Sequence, residues 1–150
     1  MSPTFKKLNL KDQNRILILN APQSFEPELA ALGGVAVLRD LNHAGGMEFS
    51  LAFATKQKEV DTFAKAIAKK AAGDAVVWIA YPKGSSKRYK SEINRDSGWD
   101  VLGKFGFEPV RMVAIDEDWT AVRFRRVEFI KTMTRPVEYR KTTAGKARPS

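Results

Sequence analysis

Six residues at the ends of short apolar runs carry side chains able to bind or react: Asn20, Asp40, His43, Thr55, Tyr81 and Lys83, with Pro22 and Lys56 beside them. An amide, a carboxylate, an imidazole, a hydroxyl, a phenol and an ammonium gathered at one rim could orient a small polar ligand by hydrogen bonds. Each has an ordinary role as well. Asn20 and Asp40 suit turns, Pro22 and Pro82 stop strands, and Lys83 suits a solvated position. His43 is the only histidine, and no sequence neighbour shows how its ring would be oriented for proton transfer, so no catalytic residue is assigned.

A second set, Ser85, Ser86, Lys87 and Arg88 after Gly84, has the composition of an anion-binding loop between a strand and a helix. It is not a P-loop: the earlier glycine is missing and Lys87 is followed by arginine in place of serine or threonine. Lys83, Lys90, Tyr81 and Tyr89 nearby keep the anion reading open against that of a surface loop. Asp116, Glu117 and Asp118 could be imagined around a metal, but adjacent turn residues point in different directions, and turn chemistry accounts for them better. The chain has no cysteine, which removes thiolate metal sites, cysteine nucleophiles and disulfides together. No metal site is expected.

These groups need a scaffold, and 150 residues with 43% apolar content are enough for one full core. No run approaches the length of a membrane span and Lys6, Lys7 and Asp12 interrupt the N-terminus, so a cytoplasmic location away from membranes is expected. The net charge of +9 is unevenly placed. From Val122 to Ser150 nine basic residues face two acidic ones, so +7 lies there and +2 in all that precedes. We expect one α/β domain over 1–130 and a basic, disordered tail over 131–150, rich in Thr, Arg, Lys, Gly and Pro.

Ile16–Leu19, Val35–Leu38, Phe49–Ala54 and Ala75–Ala80 are continuous apolar runs of the kind buried on both faces of a parallel sheet. Ser24 is placed to cap a short helix through Leu29, ended by Gly33-Gly34. Val60, Phe63, Ala64, Ile67, Ala68 and Ala71 recur at helical spacing, with a break expected at Gly73-Asp74. Asn94 is placed to cap a helix carrying Trp99, Leu102 and Phe105. Arg111–Ile115 and Trp119–Phe124 flank the acidic turn as an antiparallel hairpin. Arg126 interrupts the alternation of its strand, and a bulge or a change of course is expected there. Trp78, Trp99 and Trp119 sit at core positions. Phe129, Ile130 and Met133 continue past the last strand, and cover for them by a second copy, a homodimer, is expected.

The stretches "LNAP" from Leu19, "WIAYPK" from Trp78 and "GFEPVRMVAIDEDWTAVRFR" from Gly106 resemble bacterial domain-of-unknown-function family 3052, over residues 4 to 126. The strand order is also similar to a shortened S-adenosylmethionine-dependent methyltransferase fold, a Rossmann-like three-layer arrangement whose mostly parallel sheet ends in an antiparallel hairpin. That resemblance implies a glycine-rich turn after the first strand, where backbone approaches the cofactor. Here no glycine lies between Ile16 and Leu32, Ala21 adds a Cβ and Pro22 removes a donor; Asp40 alone matches the acidic residue that would bind ribose hydroxyls. The expectation is a noncatalytic domain binding an unknown small molecule or protein, with no cofactor. Nucleic-acid association through the basic C-terminal segment is the alternative, and an active methyltransferase the third reading.

Overall fold

The computed structural model describes residues 3–40, 46–131, 133 and 140–147. Six strands form one sheet: β1 (Arg15–Leu19), β2 (Ala36–Leu38), β3 (Met47–Phe53), β4 (Ala71–Pro82), β5 (Phe107–Ala114) and β6 (Trp119–Arg126). Their spatial order is β2-β1-β3-β4-β6-β5. The first four run parallel, and β6 is antiparallel to both β4 and β5. The chain therefore has the mostly parallel α/β sheet with an antiparallel end that its apolar runs imply.

Alternation along each strand divides the core in two. Leu17, Leu19, Ala52, Val77 and Ile79 face Val60, Ala64 and Ile67 of helix α3 (Gln57–Lys70), together with Trp99 and Leu102 near helix α4 (Asp100–Lys104). On the other face, Ile16, Ile18, Phe49, Leu51, Phe53 and Trp78 pack under Phe5 of helix α1 (Pro3–Lys7), Leu8, Phe25 and Leu29 of helix α2 (Glu26–Ala30). All three tryptophans are buried, as expected of large aromatics in apolar runs. The Trp78 indole donates to the Leu8 carbonyl at 2.7 Å, which ties the N-terminal segment to the centre of the sheet.

Several local expectations fail for identifiable reasons. β2 is an edge strand, so Ala36 is exposed and Val37 and Leu38 are only half-buried. Ser24 caps no helix; it lies in a 3₁₀ turn, Gln23–Phe25, that leads into α2. α3 passes directly into β4 at Ala71, ahead of Gly73, whose positive φ of 53° lies within the strand. Asn94 is not a helix cap: its Oδ1 accepts from the backbone N–H groups of Asp96 and Ser97, and α4 begins later, at Asp100. At Arg126 the chain changes course without a bulge in β6, which ends there and gives way to a 3₁₀ turn over Val127–Phe129. Arg126 lies on the face of Val122 and Phe124, over the Phe107 ring at 4.9 Å, and donates to the carbonyls of Ala68 in the last turn of α3 and of Ala71 and Gly73 beyond it. The register shift falls on β5, between Pro109 and Arg111.

The disordered tail assigned to 131–150 does not hold for residues 140–147. Helix α5 (Thr143–Ala147) forms there, and Arg140 and Thr142 are buried. The cause is Glu108 on β5, itself fully buried, whose carboxylate accepts from Lys141 N at 2.6 Å, Thr142 N at 2.8 Å and Thr142 Oγ1 at 2.6 Å. Such bonds to a charged group repay the ordering of a short segment. Ile130 is buried within its own chain, while Phe129 is partly exposed. Among the described residues, no helix is long and apolar enough to cross a membrane.

Candidate functional site

β1 lies between β2 and β3, so the chain leaves it in opposite directions, and open α/β sheets bind ligands in the crevice beyond the strand ends at such a switch. The crevice here opens beyond Leu19 and Phe53. Asn20 turns the chain there with a positive φ of 59°, a conformation that a short polar side chain tolerates better than most. Its Nδ2 donates to the Phe53 carbonyl and to Glu59 Oε2, both at 3.0 Å. The amide thus bridges the two strand ends and the start of α3.

Glu59 gathers the rest. Its Oε1 accepts from Thr55 N at 2.9 Å, Thr55 Oγ1 at 3.2 Å and Lys56 N at 3.2 Å. Lys56, the residue before α3, has no acceptor side chain, so only the glutamate half of a reciprocal cap is made. Glu92 serves the same helix end, its Oε1 accepting from Gln57 N at 3.0 Å. Two carboxylates therefore occupy the positive end of α3, where a helix otherwise attracts external anions. Beside them lies a shallow groove of about 380 Å³ lined by Leu19, Asn20, Lys58, Glu59, Thr62 and Phe63.

Of the six strand-end candidates, the structure joins Asn20 and Thr55, through Glu59. Tyr81 is not on the rim. It continues the alternation of Val77 and Ile79 into the core, packs edge-on against Trp99 at 5.6 Å between ring centres, and burial raises its pKa, against the nearby charge of Arg95. Asp40 follows the edge strand β2, next to Arg39, whose guanidinium forks onto Glu26 at 2.7 and 2.8 Å. That hydrogen bond lowers the Glu26 pKa and raises that of Arg39. Lys83 is half-buried, its N–H donating to the Asp118 carbonyl. His43 lies outside the described residues.

The anion-loop candidates are arranged otherwise. Ser86 Oγ donates to Asp118 Oδ1 at 2.9 Å and accepts from the N–H groups of Arg88 and Tyr89, and Arg88 Nε stands 3.8 Å from Asp118 Oδ2. An acid thus faces this serine and arginine, and no helix follows until α4, so the phosphate-cradling setting is not formed. Ser85 and Lys87 are exposed. Asp116 makes a turn, its Oδ1 accepting from Asp118 N and Trp119 N at 2.8 Å. No group of three potential metal ligands occurs among the described residues. Glu59 and Glu92 escaped the reading of the sequence; a glutamate in the first turn of the strongest amphipathic pattern was the available signal for Glu59.

No protein-family model matches this sequence, and no curated protein does. Solved structures match its fold. An S-adenosylmethionine-dependent methyltransferase from Aquifex aeolicus is 14% identical with a TM-score of 0.57, over 82% of this chain and 87% of that one. The pyocyanin biosynthetic protein PhzM is 13% identical with a TM-score of 0.53, over 83% of this chain and 54% of its own length. A fibrillarin pre-rRNA processing protein from Methanococcus jannaschii is 11% identical with a TM-score of 0.51, over 84% and 69%. At these identities the likeness establishes the fold alone: a Rossmann-like sheet of the methyltransferase kind.

Proposed function

We propose that the chain is a noncatalytic ligand- or partner-binding domain on a methyltransferase-like sheet, and that its first strand end does not hold S-adenosylmethionine. The observation that carries this reading is the Asn20 side chain bonded across the crevice to Phe53 and Glu59. A cofactor needs close approach and free backbone donors at that turn. This turn offers a side chain bridging the gap, a proline without an N–H at position 22, and the Glu59 carboxylate at the helix end. Asp40 could bond a ribose hydroxyl, but one charge-assisted bond contributes about 1.5–3 kcal/mol. Micromolar affinity needs about 8 kcal/mol.

Calorimetric titration of the purified protein with S-adenosylmethionine tests this. No saturable heat in the low micromolar range is expected; a 1:1 isotherm there overturns the proposal and makes a methyltransferase the better reading. The nucleic-acid alternative loses support from the basic segment itself. Arg125, Arg126, Arg140 and Lys141 are engaged by Asp74, by backbone carbonyls and by Asp100.

A further inference from the structure

Strand β6 carries arginines at positions 123 and 125, one side-chain alternation apart and so on one face. On β5, Arg111 pairs directly opposite Arg123. Like charges directly opposite one another across a strand pair are destabilising, so this arrangement costs the fold something. Asp74 hydrogen-bonds to only one of the three, receiving a fork from Arg125 at 2.8 and 2.6 Å, and acts on Arg123 through space without contact. Arg125's own cross-strand neighbour, Glu108, has its carboxylate committed to Lys141 and Thr142. No acid is paired with Arg111 or Arg123 among the described residues, and Arg123 Nε is buried without a hydrogen-bond partner.

Of these three guanidiniums, that of Arg123 is the most desolvated. It lies beside the buried Trp78 in the register of β4 and β6, and burial, then Arg125 and Arg111, hold its pKa below the ordinary arginine value despite Asp74. The three cations stand apart from the Asn20 crevice across the sheet: the crevice lies between β1 and β3, whereas the arginines are on β6 and β5, beyond β4. We propose that Arg111 and Arg123, with Arg125 beside them held by Asp74, form a binding site for a phosphoryl dianion carried by a small molecule. Planar guanidiniums match phosphoryl oxygens in geometry, and a dianion would relieve the like-charge pair that no hydrogen-bonded acid offsets. This site is separate from the strand-end crevice and does not depend on how that crevice is used.

The test is calorimetric titration with inorganic pyrophosphate at constant ionic strength, on the full chain and on R111Q, R123Q and R39Q. Arg39 is paired with Glu26 elsewhere and serves as the control. Saturable 1:1 binding is expected in the wild type and R39Q, weakened at least about tenfold in R111Q and R123Q. Should R123Q fail to fold, exposed Arg111 still decides the matter: R111Q keeps or raises its thermal midpoint, as relief of the like-charge pair implies, but loses the rise that pyrophosphate produces in the wild type. No saturable binding by the wild type, or an equal loss in R39Q, overturns the site. Salt-sensitive binding of a single-stranded oligonucleotide without any binding of pyrophosphate overturns it too, and identifies an extended polyanion surface instead.

Discussion

Two glutamates hold this molecule together by the same chemistry at different ranges. Glu59 accepts from Thr55 and Lys56, four and three residues away, and from Asn20 across the crevice. Glu108 is fully buried and, among the described residues, accepts from Lys141 and Thr142, more than thirty residues on in the chain. The first organises the start of its own helix at a half-buried position. The second converts a polar, basic segment into part of the fold. A carboxylate matters more where it is the only partner of buried donors than where neighbouring backbone and water can substitute for it.

The sharpest way to break this comparison is Glu108→Ala, which leaves two backbone N–H groups and a hydroxyl without their acceptor. Urea denaturation should show a loss of about 3 kcal/mol. Trypsin should then cut at Arg140 or Lys141, where the wild type resists. Equal losses in Glu108→Ala and Glu59→Ala would show that range and burial do not matter. Gly103→Ala attacks the same contact from α4, because a Cβ at Gly103 would overlap the Lys141 backbone, which cannot rotate away. We expect about 1–3 kcal/mol from such overpacking, with the same protease sensitivity.

At the other glutamate, Glu59→Ala should cost about 1 kcal/mol, the usual worth of a helix-start acceptor, and trypsin should leave the C-terminal segment intact. Asn20→Gly sharpens the crevice side. Glycine removes the cost of a positive φ while losing two hydrogen bonds, so thermal melting should report a net change within about 1 kcal/mol. The smallest effect belongs to Asp74, whose pKa is lowered chiefly by its hydrogen bond with Arg125, against partial burial. A carboxyl depressed on folding contributes stability above its unfolded pKa of about 3.9 and loses it as pH falls through the lower folded value. Asp74→Asn should therefore cost about 0.5 kcal/mol at neutral pH, given partial exposure, and nothing once both forms are protonated; denaturation at both pH values measures the difference.

Much of the fold was legible because its signals are short. Ile16–Leu19 and Ala75–Ala80 could only be strands buried on both faces, and the spacing of Val60, Ala64 and Ile67 could only cover a sheet. Tyr81 was misread as a rim residue although alternation from Val77 and Ile79 already pointed it inward. Ser86 and Arg88 looked like an anion loop because Asp118, which faces them, is thirty residues away in sequence.

By itself the sequence determined the parallel strands, the amphipathic helix, the hairpin and the absence of thiol chemistry, since each rests on residue type and spacing within one element. Tertiary structure alone decided that Asn20 closes the switch-point crevice, that Glu108 captures residues 140–147, and that Arg111 lies opposite Arg123 with no ion pair to either among the described residues. Those outcomes depend on which distant groups the sheet register brings within about 3 Å, a distance at which one hydrogen bond forms or a buried charge is left alone, and no local pattern encodes it.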